Sequence, residues 1–249
     1  MKYYLTDSIF IENDTMYYSK KKNTSKKINR NNWHHILKEY GWNKLPLPWI
    51  KQLNKLSSTI LKNSGYGVLD CESDGNCFFQ CIANALNEKN RQHSGTDYEE
   101  YNSEDIRSLI ANSITEEMFS TLITYYRIMK DANDFDEEWD PYRIKNVDQF
   151  REQLKKTGHN YWGDYLLFNH ILSIFKLNIF ILNSNDYSRN YTVYNTLNDY
   201  NSSYDTIYLL YEDECHFKLV GYFNGDKMIS YFTKDTIPEE LLKLYNIIR

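Results

Sequence analysis

Cys77 follows the turn-forming run Asp74-Gly75-Asn76 and leads into Phe78, Ile82, Ala85 and Leu86, which recur on one helical face. That pattern predicts a turn, capped by Asn76, that delivers the thiol to the first turn of a helix. There the positive end of the peptide dipoles favours thiolate over thiol, and the backbone amides of Gly75, Asn76 and Cys77 are in position to hold an oxyanion. A thiol used as a nucleophile needs a base. His216 stands between Cys215 and the apolar run Phe217 to Phe223, so it is expected to open a strand, a rigid place for an imidazole. Of the other histidines, His34, His35, His93, His159 and His170, none opens an apolar strand.

Other chemistry for the same residues stays open. A free cysteine is most often a small buried hydrophobe, the role expected of Cys81 one turn further on. A zinc site could draw on Cys71, Cys77, Cys81 and His216, but the four cysteines make no Cys-x-x-Cys pair and match no common zinc module. Hydrolysis by a thiol and an imidazole requires neither a metal nor an organic cofactor.

The elements that must position these groups are helices first and strands later. Residues 1–45 read as an accessory segment with short strands at Tyr3 to Leu5 and Ile9 to Ile11; Lys20 to Lys27 reads as a solvated loop. Residues 46–64 read as a leading helix with Trp49, Leu53, Leu56 and Ile60 on one face, and Asn87 to Tyr101 as a loop. Helices are expected from about Glu104, with Ser103 as cap, from Glu116 to Met129, and over Val147 to Lys156. Strands are expected at Asn178 to Leu182, Tyr191 to Tyr194, Thr206 to Tyr211, Cys215 to Phe223 and Met228 to Phe232, with Asn224-Gly225 a hairpin turn between the last two. A last short helix follows Pro238. This order implies an α+β domain with a small, mostly antiparallel sheet flanked by helices.

Asp74-Gly75-Asn76-Cys77-Phe78-Phe79 resembles the nucleophile motif of the ovarian-tumour (OTU) cysteine proteases. Tyr161-Trp162-Gly163-Asp164, with the helix Tyr165 to Phe175 and the strand Asn178 to Leu182 behind it, is similar to that family's tryptophan-glycine segment, and His216-Phe217 to its histidine strand. The resemblance implies a papain-type cysteine protease fold over residues 65–225, with 226–249 packed on it. It also implies Asp74, Cys77 and His216 as active-site residues, and ubiquitin or polyubiquitin chains as partners. Many family members carry Asp or Asn two residues after the histidine to orient its ring, whereas this chain has Lys218. A lysine cannot accept the imidazole N–H. An acid from elsewhere, Asp70 or Asp213, a backbone carbonyl or water, or no third group at all, are the alternatives.

Composition sets the other bounds. The chain has 249 residues, 41% of them hydrophobic, enough for one sizeable domain with an extension, or at most two small ones. A net charge of −5 argues against a general nucleic-acid binder, leaving Lys20 to Lys27 as the one basic run with that alternative. Few cysteines point to a reduced, cytoplasmic setting, and no apolar run approaches the 18 or so residues that span a bilayer. The acidic stretch Asp131 to Asp140 reads as a solvated loop, with a substrate-facing surface as the alternative. The expected activity is hydrolysis of isopeptide bonds at the ubiquitin C-terminus. A catalytically inactive ubiquitin-binding module and a hydrolase of a ubiquitin-like modifier are the alternatives.

Overall fold

The computed structural model describes residues 2–21, 24–58, 65–71, 74–94, 98–135, 137–185, 190–195, 200–213 and 215–247. The N-terminal part is an antiparallel meander of β1 (Lys2–Tyr4), β2 (Ile9–Glu12), β3 (Thr15–Lys21) and β4 (Thr24–Lys27). Asn13 and Asp14, both at positive φ (48° and 61°), make the tight turn between β2 and β3. Alternation sends Ile9, Ile11 and Met16 inward against Trp33, Leu37, Trp42, Phe223 and Met228. The lysine run expected as a loop therefore belongs largely to strands. Its solvation was read correctly, since every β4 residue is exposed, but charged side chains are equally at home on an edge strand, where they discourage further pairing.

After α1 (Trp33–Ile36) and a 3-10 turn (Leu37–Tyr40), β5 (Trp42–Lys44) pairs antiparallel with β6 (Tyr66–Leu69). The accessory segment thus gives its last residues to the main sheet. Between them lies α2 (Leu47–Leu56), with Trp49 and Leu53 buried; the chain turns extended at Ser57, so the helix stops short of the expected residue 64, and Ile60 falls outside the described residues.

The main sheet also contains β7 (Leu177–Asn185), β8 (Asn190–Asn195), β9 (Asp205–Glu212), β10 (His216–Phe223) and the short β11 (Met228–Ile229). Its order is β5-β6-β10-β9-β7-β8, with β11 on β10, and only β7 and β9 run parallel. One face carries Ile179, Ile181, Ile207, Leu209 and Leu219 into the larger core. That core is roofed by α3 (Cys77–Ser94), α4 (Ser103–Ser113), α5 (Glu116–Asp131), α6 (Val147–Lys155) and α7 (Phe168–Phe175). The opposite face presents Phe180, Leu182, Tyr208, Leu210 and Val220 to α2 and to α8 (Glu239–Leu244). Burial on both faces explains why β9 and β10 read as nearly continuous apolar runs.

Three boundaries differ from the expectation. α3 continues to Ser94 through the polar stretch expected as a loop, because Asn87 is buried and its amide clamps both the N–H and the C=O of Tyr101 at 2.8 Å. The cap of α4 is Asn102, in a reciprocal box with Asp105, and not Ser103. β11 has two residues, its chain then leaving the hairpin for an isolated bridge between Phe232 and Thr206. Among the described residues no helix is long and apolar enough to cross a membrane.

Candidate active site

The nucleophile turn is locked by its own side chains. Gly75 sits at φ 83°, a conformation glycine adopts without strain. The Asp74 carboxylate accepts from the Asn76 backbone N–H at 2.9 Å and from its side-chain amide at 2.8 Å. Burial alone would raise the Asp74 carboxyl, but these hydrogen bonds outweigh it and hold the group below its usual range. The Asn76 carbonyl starts the helix by accepting from Gln80 N–H, so Asn76 occupies the expected cap position. Its side-chain oxygen, however, accepts from Arg107 Nε at 2.9 Å. With the Asn76 amide committed to Asp74, the expected oxyanion donors narrow to the amides of Gly75 and Cys77.

Cys77 opens α3 at the larger core and is 7% exposed. β6 pairs with β10 only as far as Leu69 opposite Leu219; beyond that point the Phe217 N–H turns to Cys77 Sγ at 3.5 Å. Burial pushes the Cys77 thiol up, and the amides of Phe217 and Phe78 offset only part of that. Burial thus works against the preference for thiolate expected at a helix start. His216, next to Phe217, places Nε2 3.5 Å from Asp70 Oδ1. Asp70, immediately after β6, is thus the candidate acid brought to the ring. Asp213 lies in the β9–β10 turn at φ 50°, where its N–H donates to Ser184. Lys218 Nζ lies 3.6 Å from the same Asp70 oxygen and 2.7 Å from Glu212 Oε2. Cys71 and Cys81 touch at 3.5 Å between sulfurs, and among the described residues no group of three or more His, Cys, Asp or Glu is arranged to hold a metal.

Sequence reasoning missed the residue that ties this region together. Arg107, on α4 and 0% exposed, donates to Asn76 Oδ1, to the Gly75 carbonyl at 3.0 Å, to Tyr161 O at 2.9 Å and to Leu154 O at 3.2 Å. Its guanidinium lies 4.0 Å from the centre of the Phe79 ring, and burial pushes its pKa down to about 10. The available signal was its phase: Arg107 shares the buried face of α4 with Ile110 and Ala111, where an arginine needs several acceptors.

Behind the turn, the Tyr161-Trp162-Gly163 segment packs on the start of α3. A β-carbon on Gly163 would stand 2.1 Å from Phe78 Cδ1, so glycine is required by close approach. Gly163→Ala is expected to cost about 1–3 kcal/mol of stability by overpacking and to shift the residue beside Cys77. An unchanged melting temperature would show that the contact gives way freely.

The same segment is held by Glu137, which accepts from the Trp139 indole at 2.7 Å and from Trp162 N–H at 3.1 Å. This part of the acidic stretch is therefore turned inward and is not a solvated loop. Burial, helped by the charge of Asp164, raises the Glu137 carboxyl to about 8; burial raises Asp164 to about 6. The native state thus retains protons that the unfolded chain has released above the ordinary carboxylate range. Stability is fullest below that range and falls as pH rises towards about 8. The melting temperature is expected to be lower at about pH 8.5 than at about pH 6, with Glu137→Gln flattening much of that slope. The same slope in the variant would remove Glu137 as its source.

A family model described as OTU-like cysteine protease matches residues 72–217, more than half of the chain. The chain belongs to this family, and its architecture is the OTU-like α+β fold. Similar solved structures include an ovarian tumour domain in complex with ubiquitin, 14% identical, with 72% of this chain and 81% of that chain covered at a TM-score of 0.42. The Hazara virus OTU bound to ubiquitin is 16% identical, with coverage of 66% and 82% and a TM-score of 0.36. The OTU domain protease of Farallon virus is 18% identical, with coverage of 64% and 85% and a TM-score of 0.39. Likeness at this level carries no assignment of residues, substrate or partner. No curated protein matches the chain.

Proposed function

We propose that the protein is a deubiquitinase that hydrolyses isopeptide bonds at the ubiquitin C-terminus, with Cys77 as nucleophile and His216 as base. The observation that supports the reading is the contact of Cys77 Sγ with the Phe217 amide, which joins the first residue of α3 to the peptide bond that follows His216. Family membership supports the cysteine protease class, and the ubiquitin-bound OTU structures among similar folds prompt the choice of modifier.

With Nε2 directed to Asp70, Nδ1 is the nitrogen left to take the thiol proton. His216 takes the thiol proton as sulfur attacks. Sulfur adds to the carbonyl carbon, and the amides of Gly75 and Cys77 receive the oxyanion, each such donor being worth about 3 kcal/mol in the transition state. Protonated His216 gives its proton to the departing lysine amine. Water activated by the same ring then hydrolyses the thioester.

The test is incubation with ubiquitin carrying a C-terminal electrophile, followed by mass measurement and peptide mapping. An adduct on Cys77 is the expected result. Ubiquitin binding without an adduct would favour an inactive binding module, and an adduct formed only with a ubiquitin-like modifier would change the substrate.

A further inference from the structure

Resting on the reading of Cys77 and His216 as nucleophile and base, we propose that Lys218 is a positioning residue: anchored by Glu212, it holds the Asp70 carboxylate against the His216 ring. The side chain that cannot accept from the imidazole thereby acts through one that can.

Strand geometry brings the group together. His216 and Lys218 are two residues apart on β10 and so lie on one face of it. Glu212 of β9 is directly opposite His216, while Leu69 of β6 is opposite Leu219, which sets Asp70 beside Lys218. Lys218 Nζ reaches Glu212 Oε2 at 2.7 Å and Asp70 Oδ1 at 3.6 Å, and that oxygen is 3.5 Å from His216 Nε2. The Asp70 side chain is 53% exposed, against 18% for Lys218. Unaided, a carboxylate so open to water gains little from holding one rotamer at the edge of hydrogen-bond range. The ammonium, half enclosed and gripped from β9, supplies the missing constraint. Burial alone would lower the Lys218 pKa, but Glu212 and Asp70 outweigh it and raise it, so the ammonium keeps its positive charge.

The arrangement also sets the field at the ring. Charged groups at the ring come from the end of β6 (Asp70, 3.5 Å from Nε2), from β9 (Glu212, the register partner of His216) and from β10 (Lys218, on the same Asp70 oxygen). Glu212 is directly across from His216, and its charge is compensated by Lys218. Removing the lysine would expose the ring to an uncompensated Glu212 while freeing Asp70.

The experiment follows Lys218→Met, Lys218→Arg, Asp70→Asn and the Asp70→Asn/Lys218→Met double variant in two assays. One is the pH profile of kcat and KM on a fluorogenic ubiquitin C-terminal amide; the other is the pH profile of Cys77 alkylation by iodoacetamide. Lys218→Met is expected to lower kcat about tenfold with KM nearly unchanged, and to move the acid limb of both profiles upward by about half a unit. Lys218→Arg, which keeps the charge, is expected to stay within about threefold of wild type. The double variant is expected to be no slower than Asp70→Asn alone. Wild-type profiles in a folded Lys218→Met protein, or losses that multiply in the double variant, would overturn the inference. If wild type fails to turn over the ubiquitin amide, the deubiquitinase reading falls, and the alkylation limb alone decides the role of Lys218.

Discussion

Cys77→Ala is expected to remove ubiquitin-directed hydrolysis by about four orders of magnitude or more while leaving the fold intact. The size of the effect follows from the division of labour at the site: without sulfur there is no covalent intermediate, and His216 has no proton to take. The fold survives because the change is small where it occurs. Alanine vacates the space of one sulfur beside Phe78 and Phe217 and leaves the Phe217 N–H without its acceptor, a loss of about 1–2 kcal/mol. A calorimetric titration with ubiquitin should therefore find binding close to wild type alongside absent turnover. Turnover that persists in the alanine variant would sink the mechanism, because none of the other thiols opens a helix: Cys71 and Cys81 are buried against one another and Cys215 is exposed in a turn.

Arg107→Met is expected to have the largest effect on stability, about 3–5 kcal/mol. The substitution keeps much of the side chain's bulk against Phe79 but removes every donor. The carbonyls of Gly75, Leu154 and Tyr161 and the Asn76 side chain would all lose a partner, those of Leu154 and Tyr161 in the buried interior. These four acceptors belong to the nucleophile turn, α6 and the segment before Trp162, so their loss unpins three pieces of chain at once. A shift of about 1 Å at Cys77 would cost activity about a hundredfold. Arg107→Lys is expected to rescue little, because a single ammonium cannot span acceptors arranged around a planar fork. Chemical denaturation with a matched assay of kcat/KM checks both statements. A lysine variant as stable as wild type would reduce the arginine to a simple counter-charge.

What was legible in the sequence, and what was not, divides along locality. The turn before Cys77, the helix after it and the β10–β11 hairpin are encoded by neighbouring residues, so periodicity and turn chemistry sufficed. The strands of the N-terminal meander were partly hidden, since lysine-rich β3 and β4 have the composition of a loop and acquire their state from pairing. Arg107 and Glu137 were missed for another reason. Each reaches groups far off in the chain: helical phase puts Arg107 on the buried face of α4 without naming its acceptors, and nothing in the acidic stretch marks Glu137 as inward. Asp70 was only one of two acids named for His216, because the pairing of β6 with β10 that puts it there is a property of the sheet. The burial of Cys77 was hidden for a related reason: the helix terminus is local, whereas packing beneath Phe217 is not.

The contact between Cys77 and Phe217 joins residues 140 positions apart in the chain. β10 can enter the sheet only between β6, made early, and β9, made just before it. During synthesis the growing chain therefore carries the thiol for most of its length without the strand that gives it a partner. Loop closure over such a span comes late in folding. A nascent or truncated chain lacking β10 has the helix that Cys77 opens but neither His216 nor the Phe217 amide, so on the proposed mechanism the order of the elements along the chain delays activity until nearly all of the domain exists.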